Sequence, residues 1–93
     1  MLVNQSQRFS DEIRQLFGNN GQSIVEGLEW TLRRMAPLGQ RVRNTNLQVW
    51  PLYPGDGFAY VVYYSVSDTA ITLQSIFKRQ TPVSAHFFDL EED

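Results

Sequence analysis

Phe58-Ala59-Tyr60-Val61-Val62-Tyr63-Tyr64-Ser65-Val66 is a run of nine uncharged residues rich in valine and tyrosine. Branched and aromatic side chains fit a pleated surface, so the run reads as a β-strand. Side chains alternate across a strand. Phe58, Tyr60, Val62, Tyr64 and Val66 therefore share one face, and Ala59, Val61, Tyr63 and Ser65 share the other. Turn residues bound the run on both sides: Pro54-Gly55-Asp56-Gly57 before it and Ser67-Asp68-Thr69 after it. Ala70 to Phe77 reads as the next strand, with Ile71, Leu73, Ser75 and Phe77 opposed to Ala70, Thr72, Gln74 and Ile76. Leu47 to Leu52 reads as the preceding one, with Pro51 marking a sheet edge. Connections this short join antiparallel neighbours, which predicts a three-stranded meander in sequence order within residues 46–78.

Upstream of residue 45 the apolar spacing changes from two to three and four. Phe9, Ile13, Leu16 and Phe17 form one helical stripe, with Ser10 as the expected N-cap and Asp11 and Glu12 at the positive end of the helix dipole. Gly18-Asn19-Asn20-Gly21 is expected to stop that helix. Ser23 and Glu26 have the spacing of a capping box. They predict a second helix that buries Ile24, Val25, Leu28, Leu32, Met35 and Ala36 and ends at Pro37 and Gly39. Glu29 and Arg33 are an i,i+4 pair on it. Residues 38–45 read as a loop, and residues 2–8 are compatible with a short N-terminal strand. The fold class expected is α+β: two N-terminal helices on one face of an antiparallel β-meander, with the opposite face open.

The chain has 93 residues, enough for one domain and one modest core. It is divided here into a single α+β domain, 1–88, and an acidic tail, 89–93. The formal charge is −2, from eight Lys and Arg against ten Asp and Glu. Asp89, Glu91, Glu92 and Asp93 supply four of those acids, so residues 1–88 hold eight bases against six acids. Arg33, Arg34, Arg41 and Arg43 cluster, and no acid occurs from Trp30 through Gly55. Such a patch can hold an anionic partner or the chain's own tail. There is no cysteine, which excludes disulfides and thiolate chemistry, and the single histidine, His86, excludes a His-pair zinc motif. No metal and no cofactor are called for. No apolar run approaches a membrane span, and the first residues lack a signal-peptide core, so the expected compartment is the cytoplasm.

Three stretches resemble the RelE/ParE superfamily of small bacterial toxins from toxin–antitoxin systems. Arg8-Phe9-Ser10-Asp11-Glu12 is similar to the family's strand-to-helix entry. Tyr60 to Asp68 is similar to its central strand and acidic turn, commonly Tyr-Arg-Val-Val-Tyr-x-Val. Ile71 to Arg79 is similar to its last long strand, which often ends in a basic pair. The resemblance implies an antitoxin as partner, and as target either the ribosome and its RNA or DNA gyrase. It also implies that Arg79 matches the arginine ending the last strand, and that His86 lies near the usual place of a C-terminal catalytic tyrosine or histidine. Those two are the candidate catalytic residues. Arg41, Arg43, Lys78, Arg79, Tyr60 and Tyr64 are the candidate residues for binding nucleic acid or a partner, the tyrosines because aromatic rings on an open sheet stack bases or line an interface.

The chain departs from that pattern where cleavage needs it most. The central-strand arginine that clamps phosphate falls on Val61, and Leu47 to Tyr53 carries no lysine. Losing such a cation typically costs a few kcal/mol of transition-state stabilisation, which argues against efficient mRNA cleavage. Two readings remain open. One is a RelE/ParE-like toxin or toxin-derived protein acting by binding. The other is a small, non-toxic interaction domain, dimeric through its aromatic sheet.

Overall fold

The computed structural model describes residues 2–79. The chain opens with strand β1 (Leu2–Gln5), followed by helices α1 (Gln7–Phe17) and α2 (Gly21–Met35). Strands β2 (Gln40–Arg41), β3 (Leu47–Leu52), β4 (Tyr60–Val66) and β5 (Ala70–Lys78) complete it. A 3-10 turn, Gly18–Asn20, joins the helices, and a second, Ala36–Leu38, leads out of α2. The molecule is α+β, with one five-stranded sheet ordered β1-β5-β4-β3-β2.

The meander is present as expected: β3 pairs antiparallel with β4, and β4 with β5. Two strands alter the sheet around it. β1 lies parallel to β5, with Val3 opposite Ile71, so the sheet is mixed rather than antiparallel throughout. β2 occupies part of the stretch expected to be a loop, and it pairs only through Gln40 with Val49 and Arg41 with Gln48. Two residues leave almost no periodicity to read. Pro51 lies on β3 beyond the reach of β2, at the edge where its missing N–H costs no ladder bond.

The alternation expected in β5 fails at one residue. Tyr64 faces Leu73 while Tyr63 faces Ser75, so Gln74 is an extra residue, a β-bulge. Beyond it the inward positions shift by one. Ile71, Leu73 and Ile76 all enter the same core, and Phe77 stays 40% exposed. That core takes Phe9 and Ile13 from α1, Val25, Leu28 and Leu32 from α2, Ala36 after it, and Tyr60, Val62 and Tyr64 from β4. A smaller cluster of Val49, Ala59 and Val61 forms on the other side of the sheet. The two faces expected for β4 are thus the two faces observed.

Helix ends differ from their expected places for local reasons. Ser6, not Ser10, caps α1: its Oγ accepts the Phe9 N–H at 3.0 Å and donates to the Gln74 carbonyl at 2.9 Å. One hydroxyl thereby serves the helix start and the bulge. Ser10 instead donates to the Gln5 side chain. The Ser23–Glu26 capping box does not form, because winding resumes at Gly21 and places Ser23 inside the first turn, where its hydroxyl donates to the Asn20 carbonyl at 3.2 Å. Gly21 is buried, and a Cβ there would fall 2.6 Å from the Ile13 side chain, so only glycine lets α2 start this close to α1. Gly18 has φ 57°, the turn-making conformation expected of it. On α2, Ile24 is half-buried and Met35 is exposed; the core face is centred on Val25, Leu28 and Leu32 instead.

Candidate functional site

Tyr60 and Tyr64 point into the helix-covered core, which corrects their expected role as an exposed stacking platform. Tyr64 is fully buried and donates from its hydroxyl to the Ala36 carbonyl at 2.6 Å. Burial pushes its pKa up to about 12. Tyr60 packs its ring against Phe17, with centroids 4.9 Å apart, and donates to Asp56 Oδ2 at 2.6 Å. Loss of solvent, then the Asp56 hydrogen bond and charge, push Tyr60 up to about 12 as well. The even-numbered tyrosines went inward because β4 offers its larger side chains to the helices.

Lys78 is the rung partner of Tyr60. Its Nζ lies 3.5 Å from the centroid of the Phe58 ring, and its charge helps hold Asp56 below the usual carboxylate range, behind the larger effect of the Tyr60 hydroxyl. Asp56 also accepts the Phe58 N–H at 3.0 Å, which closes the loop between Gly55 and Gly57, both at positive φ. Arg79 continues the ladder one step, its N–H donating to the Ala59 carbonyl at 2.9 Å. Lys78 and Arg79 thus stand at one end of the β4–β5 pair, above a pinned loop.

Arg41 and Arg43 are elsewhere. Arg41 lies on β2 and follows the register through Gln48 and Tyr64 to Leu73, five residues along β5 from Lys78. Three strand spacings and that offset separate the two pairs by about 20 Å, so they are two patches and not one site. His86 and the acidic tail 89–93 lie outside the described residues.

The face without a described helix carries a groove of 420 Å³ lined by Arg8, Leu47, Tyr63, Gln74, Ser75 and Phe77. Tyr63 and Phe77 stack in it with centroids 5.7 Å apart. Gln74 donates to the Ser65 hydroxyl at 3.1 Å. Val61, at the centre of this face, is 2% exposed and packs with Val49 and Ala59. β3 and β4 carry no base, and the only one on β5 is Lys78.

The cation in this groove is Arg8, which sequence reading placed only in a helix entry. Its Nε donates to Glu12 Oε2 at 3.2 Å. Glu12 Oε1 accepts the Ser75 hydroxyl and the Ile76 N–H, each at 2.9 Å. Burial alone would raise the Glu12 pKa; the hydrogen bonds from Ile76, Ser75 and Arg8 outweigh it and hold the carboxyl below its ordinary value. The i,i+4 spacing of Arg8 and Glu12 was a visible signal, but the bond to β5 spans 64 residues and left none. Chemically the groove offers two rings, hydroxyl and amide groups and one guanidinium. Such groups bind by stacking, hydrogen bonding and charge, and the Ser75 hydroxyl is itself committed to Glu12. Among the described residues no three His, Asp or Glu side chains group as metal ligands, and no helix is long and apolar enough to cross a membrane.

Models of known protein families give no match to this chain, and curated proteins give none either.

Proposed function

We propose that this chain is a RelE/ParE-like toxin or toxin-derived protein that acts by binding an antitoxin or a cellular target, not by efficient mRNA cleavage. The reading draws its class from the resemblance of the strand-to-helix entry and the last two strands. The order short strand, helices, then an antiparallel meander supports it. Its mode of action rests on one observation: Val61, which the resemblance aligns with the phosphate-clamping arginine, is uncharged and buried on the sheet face without a described helix. Arg8 and Arg79 flank that face without replacing the missing charge at its centre. A binding surface of aromatic, amide and hydroxyl groups with few charges has the composition of a protein interface core.

The stacked Tyr63 and Phe77 favour a second reading, a non-toxic interaction domain that pairs through this sheet face. Induced expression in a bacterial host separates the two. Growth arrest relieved by a co-expressed antitoxin supports the toxin reading, and unaffected growth at verified expression overturns it in favour of the second.

A further inference from the structure

Core contacts leave the far side of α2 open. Gly21, Val25, Leu28 and Leu32 are its buried residues. Ser23, Gly27, Trp30 and Arg34 each follow one of them by two positions, about 200° around the helix, so they form one stripe directed away from the core. All four are exposed. Trp30 is 61% exposed, and the Arg34 guanidinium lies 4.3 Å from the centroid of its ring. That contact steadies the ring, which lowers the entropy cost of covering it. Gly27 is the low point of the stripe, where a Cβ would meet nothing within 4 Å. One helix face thus holds a large aromatic ring and, a turn away, a gap that receives such a ring.

The charges of α2 identify what covers it. From Gly21 to Glu29 the helix carries two acids, Glu26 and Glu29, and no base. From Trp30 to Met35 it carries two bases, Arg33 and Arg34, and no acid. Glu29 and Arg33 meet where the halves join, 3.8 Å apart. A uniformly acidic or uniformly basic partner would be repelled by one half. A second α2 running antiparallel lays acids against bases in both halves, whereas a parallel one lays like on like. In the register that sets each Trp30 over the other copy's Gly27, Glu26 and the other copy's Arg33 fall on one flank, about 3 Å apart along the axis. The contact occurs twice about a two-fold axis, as a self-complementary interface requires.

We infer that α2 is a self-association surface through which two copies of this chain pair antiparallel, Trp30 of each packed on Gly27 of the other. The stripe lies across the core from the groove that holds Tyr63 and Phe77, so this pairing goes beyond both functional readings and leaves that groove open. A single helix pair buries less than the ~1,200 Å² of a standard interface, so the dimer is a reversible one.

Sedimentation equilibrium of the full chain at low salt, from about 10 μM to about 1 mM, covers the affinities such an interface supports. The parent is expected to pass from monomer towards dimer within that range. Trp30→Ala is expected to weaken association about tenfold or more. That variant keeps its fold, since the position is exposed and alanine favours a helix. Glu26→Lys and Arg33→Glu are each expected to weaken association about fivefold or more, because each sets like charges together at both ends of the seam. An equimolar mixture of those two variants has opposite charges at both ends again, and it is expected to dimerise as the parent does. A chain that stays monomeric throughout the range, indifference to Trp30→Ala, or a mixture no tighter than its components would overturn the inference. So would dimerisation lost on Phe77→Asp, which would assign the contact to the helix-free sheet face.

Discussion

Glu12 holds the edge of β5 where β1 has run out. β1 covers Ala70 to Leu73, and beyond them Glu12 accepts the Ile76 N–H and the Ser75 hydroxyl. Hydrogen bonds to a charged acceptor contribute about 1.5–3 kcal/mol where solvent is limited, and the Glu12 side chain is 25% exposed. Glu12→Gln is therefore expected to cost about 1–2 kcal/mol in urea unfolding at neutral pH. Because the folded pKa lies below the ordinary 4.5, this contribution is complete above that value and fades as pH falls through the folded pKa. The gap between wild type and Glu12→Gln should close on acidification; a gap independent of pH contradicts the role. Tyr64 is the second residue of this kind. Its hydroxyl ties β4 to the carbonyl of Ala36, and a Cβ on Gly39 would overlap that hydroxyl. Tyr64→Phe should cost about 1 kcal/mol. Gly39→Ala should cost about 1–3 kcal/mol, less in the Tyr64→Phe background, with melting curves of the single and double variants as the check. Tyr60 and Tyr64 both keep their protons to about 12 in the fold, against an ordinary 10. The stability they add is intact below pH 10 and declines as pH rises through 12, and a spectrophotometric tyrosine titration should show two late phenols.

Among the elements, β4 was the most legible in sequence, because nine uncharged residues with turn chemistry on both sides leave one reading. Its two faces, and the antiparallel pairing with β3 and β5, followed from alternation and short turns alone. β5 was legible only up to Gln74. A bulge has no compositional mark here, and the hydroxyl that supports it comes from Ser6, 68 residues away. The same bond explains why Ser10 was the wrong cap: two serines bracket the helix start, and only the one beside β5 can serve both elements. β2 was illegible because two residues carry no period. The parallel placement of β1 depends on the helices carrying the chain back across the sheet, which no local pattern encodes. Of the candidate site residues, the ones misjudged were Tyr60 and Tyr64, since alternation divides a strand into faces without saying which face the helices cover. Pro51 was read correctly as an edge marker and sets an element-level expectation. Pro51→Val restores a donor on the end of β3 that no described strand pairs, and it should promote concentration-dependent association in sedimentation velocity. A variant that stays as monodisperse as the parent would show that the edge is closed by something other than the proline.

At the scale of the whole molecule, the helices cover one side of the sheet, and the other side keeps a groove with two stacked rings and Arg8 at its margin. The basic residues that sequence alone gathers into one list are dispersed. Lys78 and Arg79 end β5 above the Asp56 loop, Arg41 and Arg43 lie at and just after β2, and Arg34 rides on Trp30. Among the described residues no concentration of positive charge forms over the centre of the sheet, where Val61 packs with Val49 and Ala59. In-line attack on a phosphodiester needs cations and proton donors held at the site of developing charge, and a charge displaced to the rim stabilises that state far less. Binding in place of cleavage is the proposal, and its most direct test is a ribosome-dependent cleavage assay with the purified chain on translating mRNA, read by primer extension. The expected result is an uncut message at every enzyme-to-ribosome ratio at which the protein remains soluble. Codon-specific cuts that disappear on Arg79→Ala would contradict it and assign the chain a nuclease site built around the end of β5.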